Sequence, residues 1–173
     1  PHAATHSFIL TGASKSLTDV NNSNISLELI GSPTFSEANG VELTYDINKY
    51  IKIPMSVMNI GTNDYTLSLW IKDAVFNGTD HNTLISIDWN AHVNSTGGSM
   101  FTAKSNSNIN LHDQLGTTKS ISTDFSYGAD SDLHNYVLSR KGTTTRIFID
   151  NVEKGSHVLD PPASPAGDDT NYI

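Results

Sequence analysis

The residues best suited to chemistry lie in a polar stretch near the middle of the chain. Asp88, Asn90, His92 and Asn94 occur at every second position, so a strand running through them would place their side chains on one face. Carboxylate and amide oxygens suit Ca²⁺, and a His among them also admits Zn²⁺ or another transition ion. Asp88, Asn90 and His92 are therefore a candidate metal site, with Ca²⁺ favoured. The alternative is a polar loop whose Asn and Asp side chains bond their own backbone.

Aromatic side chains beside this stretch suggest recognition of a sugar. Glycans stack on exposed Trp or Tyr rings and form hydrogen bonds with neighbouring Asn, Asp and backbone groups in shallow, wet sites. Trp89 lies between Asp88 and Asn90 at a predicted junction of strand and loop, and Tyr127 follows in a later loop. These four residues form the predicted ligand-binding site. No cofactor is required, and Ca²⁺ is a possible one.

A second aromatic pair lies on predicted strands. In Tyr65–Lys72 every second residue is apolar, and the other face is polar except for Trp70. Phe148 points to the non-core face of its own strand by the same alternation. Trp70 and Phe148 thus form a secondary aromatic face, for which two interpretations remain open. Either they contact a ligand or, as we favour for Trp70, they pack on each other beneath a covering loop.

The carboxylates do not have the spacing of a glycosidase. A retaining glucanase needs two carboxylates about 5 Å apart, commonly supplied by Glu-x-Asp-x-x-Glu on one strand face. The four glutamates are instead scattered along the chain, and no Gly-x-Ser-x-Gly elbow is present. We therefore predict that the protein is not an enzyme, and a glycan-degrading activity is kept only as a remote alternative. His134 is expected to be a hydrogen-bonded structural residue, and Arg140 to pair with a carboxylate.

Composition narrows the classes of partner. The chain has 173 residues, no cysteine and a formal net charge of −8, so an anionic nucleic acid or membrane surface would not be attracted to it. No apolar run approaches membrane-spanning length, which predicts no membrane insertion. The length suits one domain over residues 1–159, followed by a Pro-rich linker or arm over residues 160–173 that begins Asp-Pro-Pro-Ala-Ser-Pro-Ala-Gly.

Short strand signals separated by turns, without an amphipathic helix, predict an all-β antiparallel sandwich or jelly roll. Asn39-Gly40 marks a hairpin, and residues 54–60 a single helical turn. Strong strands are predicted over Tyr65–Lys72, Tyr136–Arg140 and Thr145–Asp150, the last two joined by a turn at Lys141-Gly142.

Several short motifs follow one another along the chain. They are Leu17–Asp19, Gly31–Phe35, Tyr50–Pro54, Tyr65–Lys72, Leu133–Arg140 and Phe148–Asn151. Their order resembles the laminin-G-like branch of the concanavalin A-like lectin/glucanase jelly rolls. The likeness covers roughly residues 17–155. Leu133 replaces a Trp of the family pattern, and Asn151 replaces a Gly in its Tyr-x-Asp-Gly turn.

The resemblance implies a concanavalin A-like jelly roll of the non-catalytic branch. Family members usually add two strands after the Asp-Gly turn, whereas here only His157–Leu159 precedes the prolines. We therefore expect an unpaired sheet edge that is filled by Phe8–Leu10 or by another chain, which would lead to self-association or a larger assembly. The alternative is that the sequence is a segment of a longer protein.

Two functions follow as expectations. The first is a non-catalytic glycan-binding or adhesion module, extracellular or on a virion surface, with its site at Trp89. The second is a structural jelly-roll domain of a phage particle, serving in capsid decoration or in the tail, with no sugar ligand.

Overall fold

The computed structural model describes residues 6–10, 12, 16–36, 38–43, 48–58, 64–72, 81–87, 99–104, 108–115, 117–126 and 132–158. Chain contacts divide the protein into two compact units, one formed by residues 1–59 with 171–173 and the other by residues 60–170. The described residues form strands and one helical turn, which are, in chain order, β1 (Glu28–Ile30), β2 (Thr34–Ser36), β3 (Gly40–Glu42), β4 (Tyr50–Lys52), α1 (Met55–Met58), β5 (Tyr65–Lys72), β6 (His81–Ile87), β7 (Ser99–Lys104), β8 (Asn108–Leu115), β9 (Thr117–Ser126), β10 (Leu133–Lys141), β11 (Thr144–Ile149) and β12 (Val152–Val158). This content confirms the all-β class, and α1 confirms the predicted helical turn.

The first unit contains two short antiparallel pairs, β1 with β4 and β2 with β3. β2 and β3 form a hairpin where the Asn39-Gly40 signal predicted one; Ser36 pairs with Gly40, the first residue of β3, and Gly40 has a positive φ of 74° that glycine adopts without steric cost. Leu27, Ile51 and Ile53 are buried and form the described apolar core of this unit.

A buried carboxylate organises the start of the first unit. Asp19 Oδ1 accepts hydrogen bonds from the backbone N–H groups of Ser7 (3.0 Å) and Asn21 (2.9 Å), and Asp19 Oδ2 lies 2.7 Å from His6 Nδ1. The Ser7 N–H contributes most to lowering the pKa of Asp19, and the contacts with His6 and Asn21 lower it further, against the opposing effect of desolvation. The ionised carboxylate therefore holds residues 6 and 7 against the 19–21 turn.

The second unit contains two four-stranded antiparallel sheets. One has the order β12-β11-β10-β5, and the other the order β6-β7-β8-β9. Burial alternates along β5 with Tyr65, Leu67, Leu69 and Ile71 on the less exposed face, which confirms the predicted period of two. β10 and β11 carry Tyr136, Leu138, Ile147 and Ile149 to the same face, and each of these four is at most 3% exposed. This face is the apolar core of the sheet.

The core face also includes one cation. Arg140 is only 4% exposed, its Nε donates to the Gly142 carbonyl oxygen (2.9 Å), and its Nη2 is buried without a hydrogen-bond partner. The expected pairing with a carboxylate is therefore wrong. The reason is local, because the β10–β11 turn brings the Gly142 carbonyl within reach, whereas the nearby Asp64 carboxylate accepts from the Gly142 N–H (2.6 Å) instead.

The β11–β12 hairpin closes through Asp150 and Asn151, whose φ values are 51° and 66°. Ile149 pairs with Val152 across this two-residue loop, and positive φ at both positions is the geometry of a type I′ turn. Further along this pair the register shifts between Ile147 and Phe148 of β11, which leaves Lys154 of β12 as the extra residue of a β-bulge. Within the described residues, β12 is the last strand of its sheet.

Candidate functional site

The functional candidate in the described part of the chain is the face of the β12-β11-β10-β5 sheet opposite its apolar core, here called the outer face. Adjacent strands lie about 4.8 Å apart, and residues i and i+2 on one face are separated by about 7 Å. The strand registers then define the neighbours on this face. Its members are Thr66, Ser68, Trp70, Lys72, Leu133, Asn135, Val137, Ser139, Lys141, Thr144, Arg146, Phe148, Glu153, Ser156 and Val158.

Trp70 dominates one end of the outer face. It lies opposite Asn135, between Ser68 and Lys72 of its own strand, and it is 67% exposed. Phe148, by contrast, lies on β11, two strands and about 10 Å from β5 across the sheet, and is only half-buried. The favoured interpretation that Trp70 packs on Phe148 beneath a covering loop is therefore wrong for Trp70. A large aromatic ring left in solvent costs hydration free energy and commonly marks a binding surface.

Asn135 forms the floor beside the ring. It is 8% exposed, and its Nδ2 donates to Ser68 Oγ (2.9 Å) and to the Leu69 carbonyl oxygen (3.3 Å). Because a carbonyl oxygen can only accept, the amide nitrogen must face Leu69, and this fixes Asn135 Oδ1 on the other side. Both Nδ2 protons are thus used, and an acceptor is presented next to Trp70.

The position of Asn135 is held by the β11–β12 turn. Asp150 Oδ1 accepts from the Asn135 N–H (2.9 Å), and the Asp150 N–H donates to the Asn135 carbonyl oxygen (3.0 Å). Asp150 Oδ2 lies 2.6 Å from His134 Nδ1, which confirms the expectation of a hydrogen-bonded structural histidine. The reciprocal contacts fix the start of β10 and therefore the position of Asn135 beside Trp70.

The opposite end of the outer face is polar. Thr66 Oγ1 and Ser139 Oγ lie 3.4 Å apart, and Arg146 Nε is 3.7 Å from Glu153 Oε2 with both side chains substantially exposed. An exposed ion pair of this length contributes little to stability. The face thus grades from an aromatic end at Trp70 to a hydroxyl-rich end, with the half-buried Phe148 and Val137 between them.

The predicted loop site falls outside the described residues. Asp88, Trp89, Asn90, His92 and Tyr127 all belong to segments whose structure is not described, so the glycan site at Trp89 and the Ca²⁺ site at Asp88, Asn90 and His92 stay predictions. Among the residues that are described, no group of three or more His, Asp or Glu side chains could hold a metal. No helix in the described segments is long and apolar enough to cross a membrane.

Sequence reasoning identified Trp70 but missed the residues around it. Asn135 and Leu133 become its neighbours only through the β5–β10 register, which pairs positions more than 60 residues apart. No face was predicted for either residue, and a strand's own alternation gives no signal of which strand lies alongside β5.

Comparison with known proteins identifies a family and several similar solved structures. The family model Laminin_G_3, described as the concanavalin A-like lectin/glucanases superfamily, matches residues 45–173. Among solved structures, domain 4 of AbnA, a GH43 extracellular arabinanase from Geobacillus stearothermophilus in complex with arabinotriose, is similar with a TM-score of 0.59 and 16% identity. That alignment covers 91% of this chain and 76% of the arabinanase chain. No curated protein shows significant similarity to the sequence.

Proposed function

The chain belongs to the concanavalin A-like lectin/glucanase superfamily, and we propose that it is a non-catalytic glycan-binding module that holds a sugar against Trp70. Its fold is an all-β concanavalin A-like jelly roll, as the resemblance implied. The observation that carries the proposal is the exposed Trp70 ring on the outer face, beside the fixed acceptor of Asn135.

The arrangement matches what a sugar needs. The apolar face of a pyranose or furanose stacks on an aromatic ring, while its hydroxyl groups exchange hydrogen bonds with fixed polar side chains and water. Trp70 provides the ring, Asn135 Oδ1 an acceptor and the Ser68 hydroxyl a further donor. The similar arabinanase domain is in complex with arabinotriose, which supports an oligosaccharide as the class of ligand.

Catalysis is not part of the proposal. Glu153 is the one glutamate on the outer face, and its nearest described charged partner is Arg146 rather than a second carboxylate. A glycosidase needs two carboxylates flanking one bond. We propose that the module acts by adhesion in an extracellular or virion-surface setting. The alternative is an assembly domain of a phage particle, without a sugar ligand, that associates through a sheet edge.

Trp70→Ala tests the proposal. Stacking and apolar burial against one ring contribute about 1–2 kcal/mol, so the variant should bind oligosaccharides roughly 5- to 30-fold more weakly in calorimetric titrations with arabinotriose, cellotriose and chitotriose. Its stability to urea should stay within about 0.5 kcal/mol of wild type, because the ring is mostly in solvent.

Two further variants sharpen this test. Val20→Ala removes an exposed apolar side chain from the other unit and should leave binding unchanged. Trp89→Ala examines the predicted loop site independently. Wild type that binds none of a broad glycan array would overturn the glycan-binding function and favour assembly, whereas loss confined to Trp89→Ala would move the site to the loop.

A further inference from the structure

An exposed aliphatic side chain lies beside the Trp70 ring. Leu133 is 57% exposed and sits on the outer face directly opposite Lys72, next in line to the Trp70–Asn135 pair. Side chains on diagonal positions of adjacent antiparallel strands lie about 7 Å apart, within reach of an aromatic ring. Trp70 and Leu133 therefore make an apolar platform that is wider than one sugar ring needs.

Two polar groups border this platform. Lys72 is exposed and makes no hydrogen bond or ion pair within the described structure, so its ammonium group is an available donor. Asn135 Oδ1 is an acceptor without a partner among the described residues. Because the only buried side-chain atom without a partner in the described residues is Arg140 Nη2, Asn135 Oδ1 must be reachable from solvent.

An aliphatic group, a cationic donor and an amide acceptor together complement an acetamido substituent. We infer that the Trp70 platform selects glycans that contain an N-acetylated sugar, an inference that rests on the proposed glycan-binding function. The acetyl methyl covers Leu133, the acetyl carbonyl oxygen accepts from Lys72, and the amide N–H donates to Asn135 Oδ1. A hydroxyl group at the same ring position has a single oxygen to serve as both donor and acceptor, and it has no apolar surface to cover Leu133.

Acidic sugars fit less well. A carboxylate would pair with Lys72, but its oxygens can only accept, so it offers Asn135 Oδ1 no donor and Leu133 no apolar surface. A plain neutral sugar leaves the exposed Leu133 uncovered. Leu133, Lys72 and Asn135 Oδ1 together, rather than the Trp70 ring alone, distinguish an acetamido group from a carboxylate or a hydroxyl group.

The test compares matched trisaccharides on the intact chain. Titration calorimetry with chitotriose and cellotriose, which differ at the acetamido position, should give roughly tenfold tighter binding of chitotriose, from one buried methyl group and an added hydrogen bond. Leu133→Ala should reduce that preference to about twofold. Leu43→Ala, the same change at an exposed leucine of the other unit, should leave the preference intact.

The outcomes separate this inference from the proposed function. Equal affinities for the two trisaccharides, both lost in Trp70→Ala, would overturn the N-acetyl selectivity and leave the glycan-binding function standing. A preference for chitotriose that survives both Leu133→Ala and Lys72→Met would also overturn it. Absence of binding to any glycan would overturn both.

Discussion

Asp150 combines two separate contributions to stability, and substitutions at this residue can measure each. It adopts φ of 51° in the type I′ turn, and its carboxylate accepts from the Asn135 N–H and from His134 Nδ1. Alanine loses both the tolerance of positive φ and the acceptor. Glycine keeps the backbone freedom but loses the acceptor, and asparagine keeps both the freedom and one acceptor oxygen.

The magnitudes follow from these differences. A left-handed conformation costs an alanine about 1 kcal/mol. Each hydrogen bond to a charged group contributes about 1.5–3 kcal/mol when buried, but the Asp150 side chain is 47% exposed, so we take about 1 kcal/mol for the two together. The expected losses of unfolding free energy are therefore about 2 kcal/mol for Asp150→Ala, about 1 for Asp150→Gly and about 0.5 for Asp150→Asn.

Urea denaturation monitored by circular dichroism measures the series, and Asn151 provides the control. Asn151 has φ of 66° and no hydrogen bond within the described structure, so Asn151→Ala should lose about 1 kcal/mol and Asn151→Gly almost nothing. The reasoning is refuted if Asp150→Gly is as unstable as Asp150→Ala, since the backbone contribution would then be absent. It is equally refuted if Asp150→Asn is as unstable as Asp150→Gly.

Three other predictions concern stability. Gly31→Ala should lower the free energy of unfolding by at least about 3 kcal/mol, because φ is 74° and a Cβ there collides with the Asn48 backbone carbonyl. Gly142→Ala, with φ of 58° and open space around the residue, should lower it by about 1 kcal/mol. Urea titrations compare the two variants. Arg140→Met should be neutral or up to about 2 kcal/mol more stable in the same assay, because it removes a buried charge with an unpaired Nη2; a loss above about 2 kcal/mol would contradict this. Backbone amide donors lower the pKa of Asp19, so its ionised form stabilises the fold above the ordinary pKa of about 3.8, and this contribution is lost as pH falls through the lowered value. Thermal melts should show a smaller fall in stability below about pH 4 for Asp19→Asn than for wild type, and parallel pH profiles would contradict that assignment.

The elements with local signals could be predicted from the sequence. Alternation in Tyr65–Lys72 gave both the strand and its faces, and Asn39-Gly40 gave a hairpin, because side-chain period and turn chemistry depend on neighbouring residues alone. The paired strands β10 and β11 were likewise found on both sides of their predicted turn. The resemblance to concanavalin A-like jelly rolls, carried by short motifs in order, agrees with the family model.

The candidate site could be predicted only in part, because its neighbours come from distant strands. Alternation placed Trp70 on the correct face but could not predict its exposure, which depends on what covers the sheet. Arg140 was given a carboxylate partner because charge alone suggests one, whereas the turn geometry supplied the Gly142 carbonyl. The sequence contains no pattern that marks Asn135 as a site residue. Its amide reaches Ser68 and Leu69 only once the β5–β10 register brings the two strands together.

The contrast between Trp70 and Asn135 argues for recognition rather than stability. If the outer face served only the fold, the large ring would be buried and the small amide exposed, because burying apolar area is favourable and burying an amide needs partners. Here the order is reversed, with Trp70 in solvent and Asn135 held beside it, where its Nδ2 donates to Ser68 Oγ and its backbone N–H to Asp150 Oδ1. Such a rigid floor beside an uncovered ring reduces the entropy lost when a ligand binds. Asp150→Gly should therefore weaken glycan binding by more than its small loss of stability explains, and at temperatures where the variant is fully folded, an affinity equal to wild type would show that the floor does not matter.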